Sequence, residues 1–153
     1  MKKLIIVATK VDGGKGGISS ALQGYISGLQ ANGVDIEIVA SHSSERPMLV
    51  SWLCAFATVF KLSFKHRGNK AVFWFHCGPW FSSARKFTLA LLPRLFGCDS
   101  IGHVHSPTYS DYLEKGGMTK FLLKIALLPY NKLIVLTPWW KKLLNDHGID
   151  KPM

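Results

Sequence analysis

The chain has 153 residues, of which 48% are hydrophobic and 18% are charged. This balance is typical of a globular domain and excludes an intrinsically disordered chain. Nineteen Lys and Arg against nine Asp and Glu give a formal net charge of +10, so we expect an anionic partner such as nucleic acid, an acidic membrane surface or a phosphorylated substrate. The basic residues form no single dominant cluster, which argues against nucleic acid.

The first predicted element is a strand over residues 4–9, where a continuous apolar and β-branched run is typical of a strand covered on both faces. The preceding basic pair and this run are too short for a signal peptide.

Three cysteines without CxxC spacing indicate neither a disulfide framework nor a zinc ribbon: Cys54, Cys77 and Cys98. We therefore expect a protein of the reducing cytoplasm.

A glycine-rich loop follows the first strand, within the stretch DGGKGGISSA at residues 12–21. Apolar residues at helical spacing then predict an amphipathic helix, which Gly33 is expected to end. These residues are Ile18, Ala21, Leu22, Tyr25, Ile26 and Leu29. A row of small residues on the same helix could bring its backbone close to the sheet: Gly17, Ala21, Gly24 and Gly28.

The remaining chain repeats the alternation of strands and helices. An alternating pattern over 34–40 predicts a second strand, nearer to a sheet edge than the first. Further strands are predicted over 70–76, 100–105 and 132–137, and helices over 47–66, 80–96, 118–128 and 138–147. The sequence therefore predicts a single α/β domain over residues 1–153, with a Rossmann-like, doubly wound, mainly parallel sheet flanked by helices.

One of these helices is apolar enough to resemble a membrane span. The run over 48–64 is interrupted by Lys61 and falls short of the roughly 20 apolar residues that a bilayer requires. We interpret it as a largely buried or a membrane-touching helix.

Ligands of an open parallel sheet bind outside the carboxyl ends of its strands. These ends carry the glycine loop, His76, His105 with Ser106, and Thr137. Polar groups are therefore expected to gather at one rim of the sheet.

The glycine loop matches neither of two well-known phosphate loops. Gly16, rather than Ser or Thr, follows Lys15, and Ser19 stands where the third glycine of the dinucleotide fingerprint belongs. No acidic residue closes the second strand. What remains is a glycine loop before a helix N-terminus, whose free N–H groups and partial positive charge suit an anion. A tight turn without a ligand is the alternative.

Histidines supply the second set of candidate groups. His103 and His105 lie two residues apart on a strand, hence on the same face, and could bind a metal together with His76 or Cys77. No carboxylate is patterned to complete such a site, so we expect no metal. His105 is the histidine expected to face a ligand, and the alternative for it is a purely structural role.

We expect the aromatic residues mainly to pack in the core and the basic residues mainly to lie on faces exposed to solvent. The stretches PWF (79–81) and PWW (138–140) open helices with proline at the first position, and Thr137 caps the second of them. The tryptophans could instead stack on a sugar or lie at a lipid interface. Two basic series are expected to be solvated faces, with an anionic-lipid platform as the alternative: Arg85, Lys86 and Arg94, and Lys115, Lys120 and Lys124.

In their order along the chain, these segments resemble the amino-terminal domain of the family 4, or group 1, retaining glycosyltransferases of the GT-B fold. The resemblance covers almost the whole chain. It rests on KLIIVATKVDGGKGGISSALQGYISGLQANGVDIEIVA, on the strand ends FHCGPW and GHVHSPT, and on NKLIVLTPWWKKLLNDHGIDKP. It implies one half of a GT-B fold, whose donor-binding domain is expected in the rest of a longer chain or in a partner chain.

The resemblance also implies a function. Such an enzyme moves a sugar from a nucleotide-sugar donor to a glycan or lipid-linked acceptor, here in cell-surface polysaccharide synthesis, with no cofactor and no metal. The resemblance makes His105 the catalytic residue near the transferred sugar and places Gly16 and Gly17 at the donor pyrophosphate. Lys15 departs from the family pattern and is a further phosphate candidate. The candidate acceptor or sugar contacts are His76, Ser106, Tyr109 and Trp139.

Two other function classes stay open at this point. The first is a nucleotide-binding Rossmann domain of another enzyme class, such as a reductase, against which the broken fingerprint weighs. The second is a non-catalytic module that binds a membrane or a glycan, which the net charge of +10 and the tryptophan pairs favour. Peripheral contact with the anionic inner face of a membrane is expected under either the transferase or the module interpretation.

Overall fold

Strands and helices alternate along the whole of the described chain. The computed structural model describes residues 2–9, 17–42 and 45–153, with the backbone alone at residues 17–19. Within these ranges the elements are β1 (Lys3–Thr9), α1 (Gly17–Ala31), β2 (Ile36–His42), α2 (Met48–Lys65), β3 (Ala71–Cys77), α3 (Trp80–Leu95), β4 (Asp99–Val104), α4 (Thr108–Lys115), α5 (Gly117–Leu127), β5 (Lys132–Ile134) and α6 (Pro138–Asp146).

The five strands form one sheet in the order β2-β1-β3-β4-β5, and every neighbouring pair is parallel. The predicted α/β fold with a Rossmann-like, doubly wound sheet is confirmed. β2 lies at the sheet edge, as its alternating sequence predicts, and β1 lies inside. The chain moves one way from β1 to β2 and the other way to β3, so the topological switch point lies between β1 and β3.

The two faces of the sheet carry cores of unequal size. Successive side chains of a strand point to opposite faces, so Phe73 and Phe75 face one side while Trp74 faces the other. The first side, which we call the multi-helix face, buries residues of α2, α3, α4, α5 and α6 in one large cluster. The second, which we call the α1 face, has a small cluster of Ile6, Ala8, Leu22 and Trp74.

Several element boundaries differ from the predictions. β2 begins and ends two residues later than 34–40, and β5 ends at Ile134, three residues early. The sequence prediction also missed α4, which buries only Tyr109 and Leu113, one turn apart. With Tyr112, which packs against the same core, this helix has three apolar positions, and the sequence prediction did not recognise so short a period within a polar segment.

The predicted close approach of the small residues in α1 to the sheet is wrong. Gly24 and Gly28 are exposed, and a Cβ added at either would meet no heavy atom within 4 Å. The helix packs through Leu22, with Ile26 and Leu29 beside it. The predicted end of this helix is confirmed, because Gly33 has a φ of 73° and its N–H donates to the Gln30 carbonyl.

The sequence left two interpretations of α2, a largely buried helix and a membrane-touching helix. The burial of its side chains tests the first. The structure buries 28% of its 18 residues, namely Ser51, Ala55, Val59, Leu62 and Ser63, so a largely buried helix is wrong. In the described part of the chain, α2 is the one helix with the length and composition of a membrane span. On their own, these two properties are weak support for a span.

Candidate functional site

Two neighbouring strands bring three histidines to the same face of the sheet. His76 on β3 pairs in register with His103 on β4. His105 follows β4, and its backbone N–H donates to the Cys77 carbonyl at 3.0 Å, which continues the ladder past the end of the strand. Since residues two apart share a face, all three imidazoles lie on the α1 face at the carboxyl ends of the strands.

The three imidazoles are in direct contact and are called the histidine cluster below. His76 Nδ1 and His105 Nε2 are 2.9 Å apart, a hydrogen-bond distance. The rings of His76 and His105 stack at 5.0 Å with an interplanar angle of 15°, and the rings of His103 and His105 are 3.8 Å apart. One nitrogen from each of the three rings lies within 4.8 Å of the others.

Two larger aromatic rings enclose the histidine cluster. Trp74, two residues before His76 on β3, stacks on His103 at a centroid distance of 5.6 Å and an angle of 10°. Tyr25 on α1 lies 5.8 Å from His103 and 6.3 Å from His76. The spacing of Tyr25 within the apolar stripe of α1 brings it over the cluster, so the helix that covers this face also forms one wall of the site.

Burial keeps the histidine cluster neutral. It lowers the pKa of His76 to about 2, with the neighbouring histidines and Lys86 adding to the effect. Burial and the proximity of His105 lower the pKa of His103 to about 4. The pKa of His105 is also lowered, first by burial and then by Lys86. At neutral pH each ring therefore carries one N–H and one lone pair.

Some polar atoms of the site lack partners. Within the described part of the chain, His76 Nε2, His103 Nδ1 and Trp74 Nε1 are buried and make no hydrogen bond to the protein. A buried polar atom left unpaired costs about 1–3 kcal/mol. A ligand that satisfied these atoms would recover part of that free energy.

Lys86 contradicts the prediction of a solvated basic series. It is only 2% exposed on α3, and its Nζ donates to Ser82 Oγ at 2.8 Å. Burial lowers its pKa to about 8, and the charge on Arg85 adds to this. Helical spacing could have revealed it, because it falls on the buried stripe that includes Ser83, Ala90 and Pro93.

Of the predicted sugar contacts, Tyr109 and Trp139 are not brought to the histidine cluster. Tyr109 is 1% exposed in the core of the multi-helix face, where its hydroxyl bonds the Ser83 hydroxyl, so it offers no surface to an acceptor. Trp139 is 54% exposed and packs edge-to-face on Trp140, which is buried in that same core. α6 therefore lies across the sheet from the cluster.

Ser106 does lie next to the cluster in sequence, directly after His105. It is buried, and its hydroxyl is 2.7 Å from the Thr108 hydroxyl. This pair closes the turn into α4. Thr137 occupies the N-cap position of α6, as predicted, but its side chain makes no capping hydrogen bond.

The phosphate candidates can be followed only in part. Lys15 and Gly16 lie outside the described residues, and Gly17 is the first residue of α1. The helix thus begins directly after the glycine loop, as the sequence predicts. Cys77, the alternative metal ligand, belongs to the multi-helix face, where its Sγ lies 3.4 Å from the Tyr130 hydroxyl. It takes no part in the histidine cluster.

Comparison of the chain with known protein families finds no match, and comparison with curated proteins finds none that is significant. The functional argument therefore depends on the geometry of the site. That geometry consists of three neutral imidazoles beside the topological switch point, at the rim where α1 begins.

Proposed function

We propose that the chain is the acceptor-side domain of a glycosyltransferase that moves a sugar from a nucleotide-sugar donor to a glycan or lipid-linked acceptor. The observation that carries this proposal is the place of His105, which is half-buried just beyond β4 and hydrogen-bonded to His76. The site lies at the rim where a Rossmann-like sheet binds its ligands. The order of the sequence segments, described above, supplies the reaction class.

The leaving group of this reaction is a nucleoside diphosphate, which gains negative charge as the sugar departs. Backbone N–H groups at a helix N-terminus stabilise such charge without reorganising. In this proposal Gly16 and Gly17 bind the diphosphate through their backbone N–H groups, while Lys15 adds positive charge. The donor-binding domain completes the cleft from the rest of a longer chain or from a partner chain.

His76 and His105 take different roles in this mechanism. His105 contacts the transferred sugar, because it is the more exposed of the two rings. His76 is buried and acts as a positioning residue, since its hydrogen bond engages Nε2 of His105 and fixes the plane of that ring. The other nitrogen of His105 is then available to bond a sugar hydroxyl.

The test is sugar transfer by the intact enzyme, with its donor-binding domain, from a panel of UDP-, GDP- and ADP-sugars. We expect His105→Ala to lower kcat/KM by about 100-fold or more, the usual loss for a positioned side chain that acts on the reacting groups. His147→Ala, at the end of α6 on the other side of the sheet, is the matched control. Unchanged transfer by His105→Ala would refute the role of His105, and binding of a nicotinamide dinucleotide without transfer would favour the reductase alternative.

A second feature supports peripheral contact with an anionic membrane at the cytoplasmic face. α2 exposes large apolar side chains, among them Leu49 (64%) and Leu53 (52%). Lys61 and Lys65 are exposed cations in the C-terminal part of this helix, and Arg67 is exposed just after it. An apolar face beside cations is the pattern of a helix that lies in the headgroup region, and it would hold the site near a lipid-linked acceptor.

A further inference from the structure

We propose that His76, His103 and His105 form a binding site for one divalent transition-metal ion, with zinc as the expected occupant. This goes beyond the proposed transferase function and is tested independently of it, although zinc would replace the hydrogen bond between His76 and His105 that the mechanism above uses. The three imidazoles are the protein ligands, which leaves the fourth position of a tetrahedral site for water or another ligand.

The spacing of the rings supports the proposal. Zinc binds imidazole nitrogens at about 2.0–2.1 Å in a tetrahedral arrangement, which places the nitrogens of neighbouring ligands about 3.4 Å apart. His76 Nδ1 and His105 Nε2 are already 2.9 Å apart, and no pair of candidate nitrogens is further apart than 4.8 Å. To reach this geometry, the closest pair of nitrogens must open slightly and the widest pair must close, which requires rotation of the side chains.

The hydrogen bond inside the cluster shows that a lone pair is present for a metal. Imidazole binds zinc, copper and nickel through a lone pair of the neutral ring, and the hydrogen bond between His76 Nδ1 and His105 Nε2 requires a lone pair on one of these two nitrogens. Binding through both nitrogens of the His76–His105 hydrogen bond breaks that bond. The hydrogen it contained then belongs on the other nitrogen of its own ring, so the number of protons on the protein does not change.

The alternative is a cluster held together only by hydrogen bonding and stacking. Among the described residues, one hydrogen bond joins the cluster, and it leaves His103 Nδ1 buried without a partner. The apolar shell of a metal site controls solvent access and the local dielectric, and the rings of Trp74 and Tyr25 supply such a shell here. The enclosed but incompletely bonded cluster therefore favours a site that accepts an ion.

The experiment is zinc titration of the full chain, purified with a chelator and then freed of it. We expect isothermal titration calorimetry to give one zinc ion per chain. His76→Ala and His103→Ala should each weaken binding by about 100-fold or more, exceeding the losses of about 10–100-fold that follow removal of an outer-shell partner. Cobalt supplies a second readout, because tetrahedral Co²⁺ absorbs strongly in the visible range.

Two controls separate this site from surface binding. His147→Ala removes a histidine on the other side of the sheet, and Cys54→Ser removes the exposed thiol. Neither should change zinc binding. If either control variant abolished binding, or if the wild-type chain bound no zinc, the proposal would be overturned.

Circular dichroism checks the folding of each histidine variant. Should a variant fail to fold, ¹⁵N NMR spectra of the wild-type imidazoles test the proposal instead. Zinc must then change the chemical shifts of the ring nitrogens of three histidines together. Spectra that do not change with zinc would contradict the proposal.

Lys86 offers a variant with an effect in the opposite direction. Its charge acts on His76 and His105 and therefore repels a divalent cation. Lys86→Met removes that charge at similar side-chain length, so we expect tighter zinc binding than in the wild-type chain. Weaker binding in a folded Lys86→Met chain would contradict a site at these histidines.

Discussion

Gly102, in the middle of β4, has no room for a side chain. A Cβ at this position would lie 2.8 Å from Tyr130 Cδ2 and 3.0 Å from Leu133 Cδ2. Both neighbours are buried in the core of the multi-helix face, so neither can move away freely. The missing side chain lets the Tyr130 ring pack directly against the strand that leads to His103 and His105.

Gly102→Ala should therefore destabilise the protein by about 1–3 kcal/mol, the usual cost of overpacking a core. Gly24→Ala is the matched substitution, because it adds the same methyl group to the exposed surface of α1, where the structure leaves open space. It should stabilise the protein by about 0.5–1 kcal/mol through helix propensity. Urea denaturation measures both, and equal effects of the two changes would contradict this description of Gly102.

Lys86 should make the free energy of unfolding depend on pH in the alkaline range. Its pKa is about 8 in the folded chain against 10.5 for an ordinary lysine, so between these values the unfolded chain binds more protons. Stability therefore rises with pH from about 8 to 10.5, by about 3 kcal/mol from this one group. Two titratable groups influence the pKa of Lys86, namely Cys77 on β3, which raises it, and Arg85 on α3, which lowers it.

The measurement compares Lys86→Met with the wild-type chain by urea denaturation at a series of pH values. We expect the free energy of unfolding of the variant to exceed that of the wild type most below pH 8. This difference should shrink at higher pH as the wild-type lysine deprotonates. Lys141→Met, an exposed lysine on α6, is the control and should leave the pH profile unchanged. Parallel profiles for Lys86→Met and wild type would show that Lys86 is not a buried cation.

At the level of elements, α2 should attach the protein to anionic vesicles. Replacing both Leu49 and Leu53 by Gln removes exposed apolar surface, and we expect a clear loss of co-sedimentation with phosphatidylglycerol vesicles. Ala57→Gln, also exposed on α2, should have no effect. Binding should weaken as salt rises from about 0.05 to 0.5 M, because exposed charges are screened. Equal binding of the double variant and the control would exclude α2 as the contact.

The hydrophobic pattern of the sequence predicted the long helices and strands better than the short ones. β1 and β3 show as continuous apolar runs because both of their faces are covered. β5 was extended too far, since Val135 and Leu136 are apolar yet lie in an irregular connection rather than in the ladder. α4 was missed because tertiary contacts, rather than a visible apolar period, hold Tyr109 and Leu113 in place.

For the whole molecule, the unequal faces of the sheet should produce unequal local stability. α1 is joined to the sheet through the small cluster around Leu22, whereas α3 lies in the large core with Leu89 and Ala90. Segments with fewer buried apolar contacts open at lower free energy. Hydrogen exchange followed by mass spectrometry should therefore show faster exchange in α1 than in α3. Slower exchange in α1 would contradict this expectation.

The candidate site was only partly predictable from sequence. Strand alternation correctly placed His103 and His105 on one face, and the strand-end rule selected His76 and His105. The sequence could not show that Cys77 faces away, that Tyr109 is sealed in the core, or that Lys86 is buried close enough to influence these histidines. Each of these facts depends on how helices far apart in the chain pack together, which a local pattern does not contain.

The large core and the histidine cluster lie on opposite faces of the sheet, which has a practical consequence for protein engineering. Among the described residues, α1 is the helix that covers the face with the imidazoles, so substitutions that reinforce the opposite face can raise thermal tolerance while leaving the histidine cluster unchanged. Conversely, redesigning Tyr25, which is partly exposed above the imidazoles, offers a way to alter what enters the site at little cost to the scaffold.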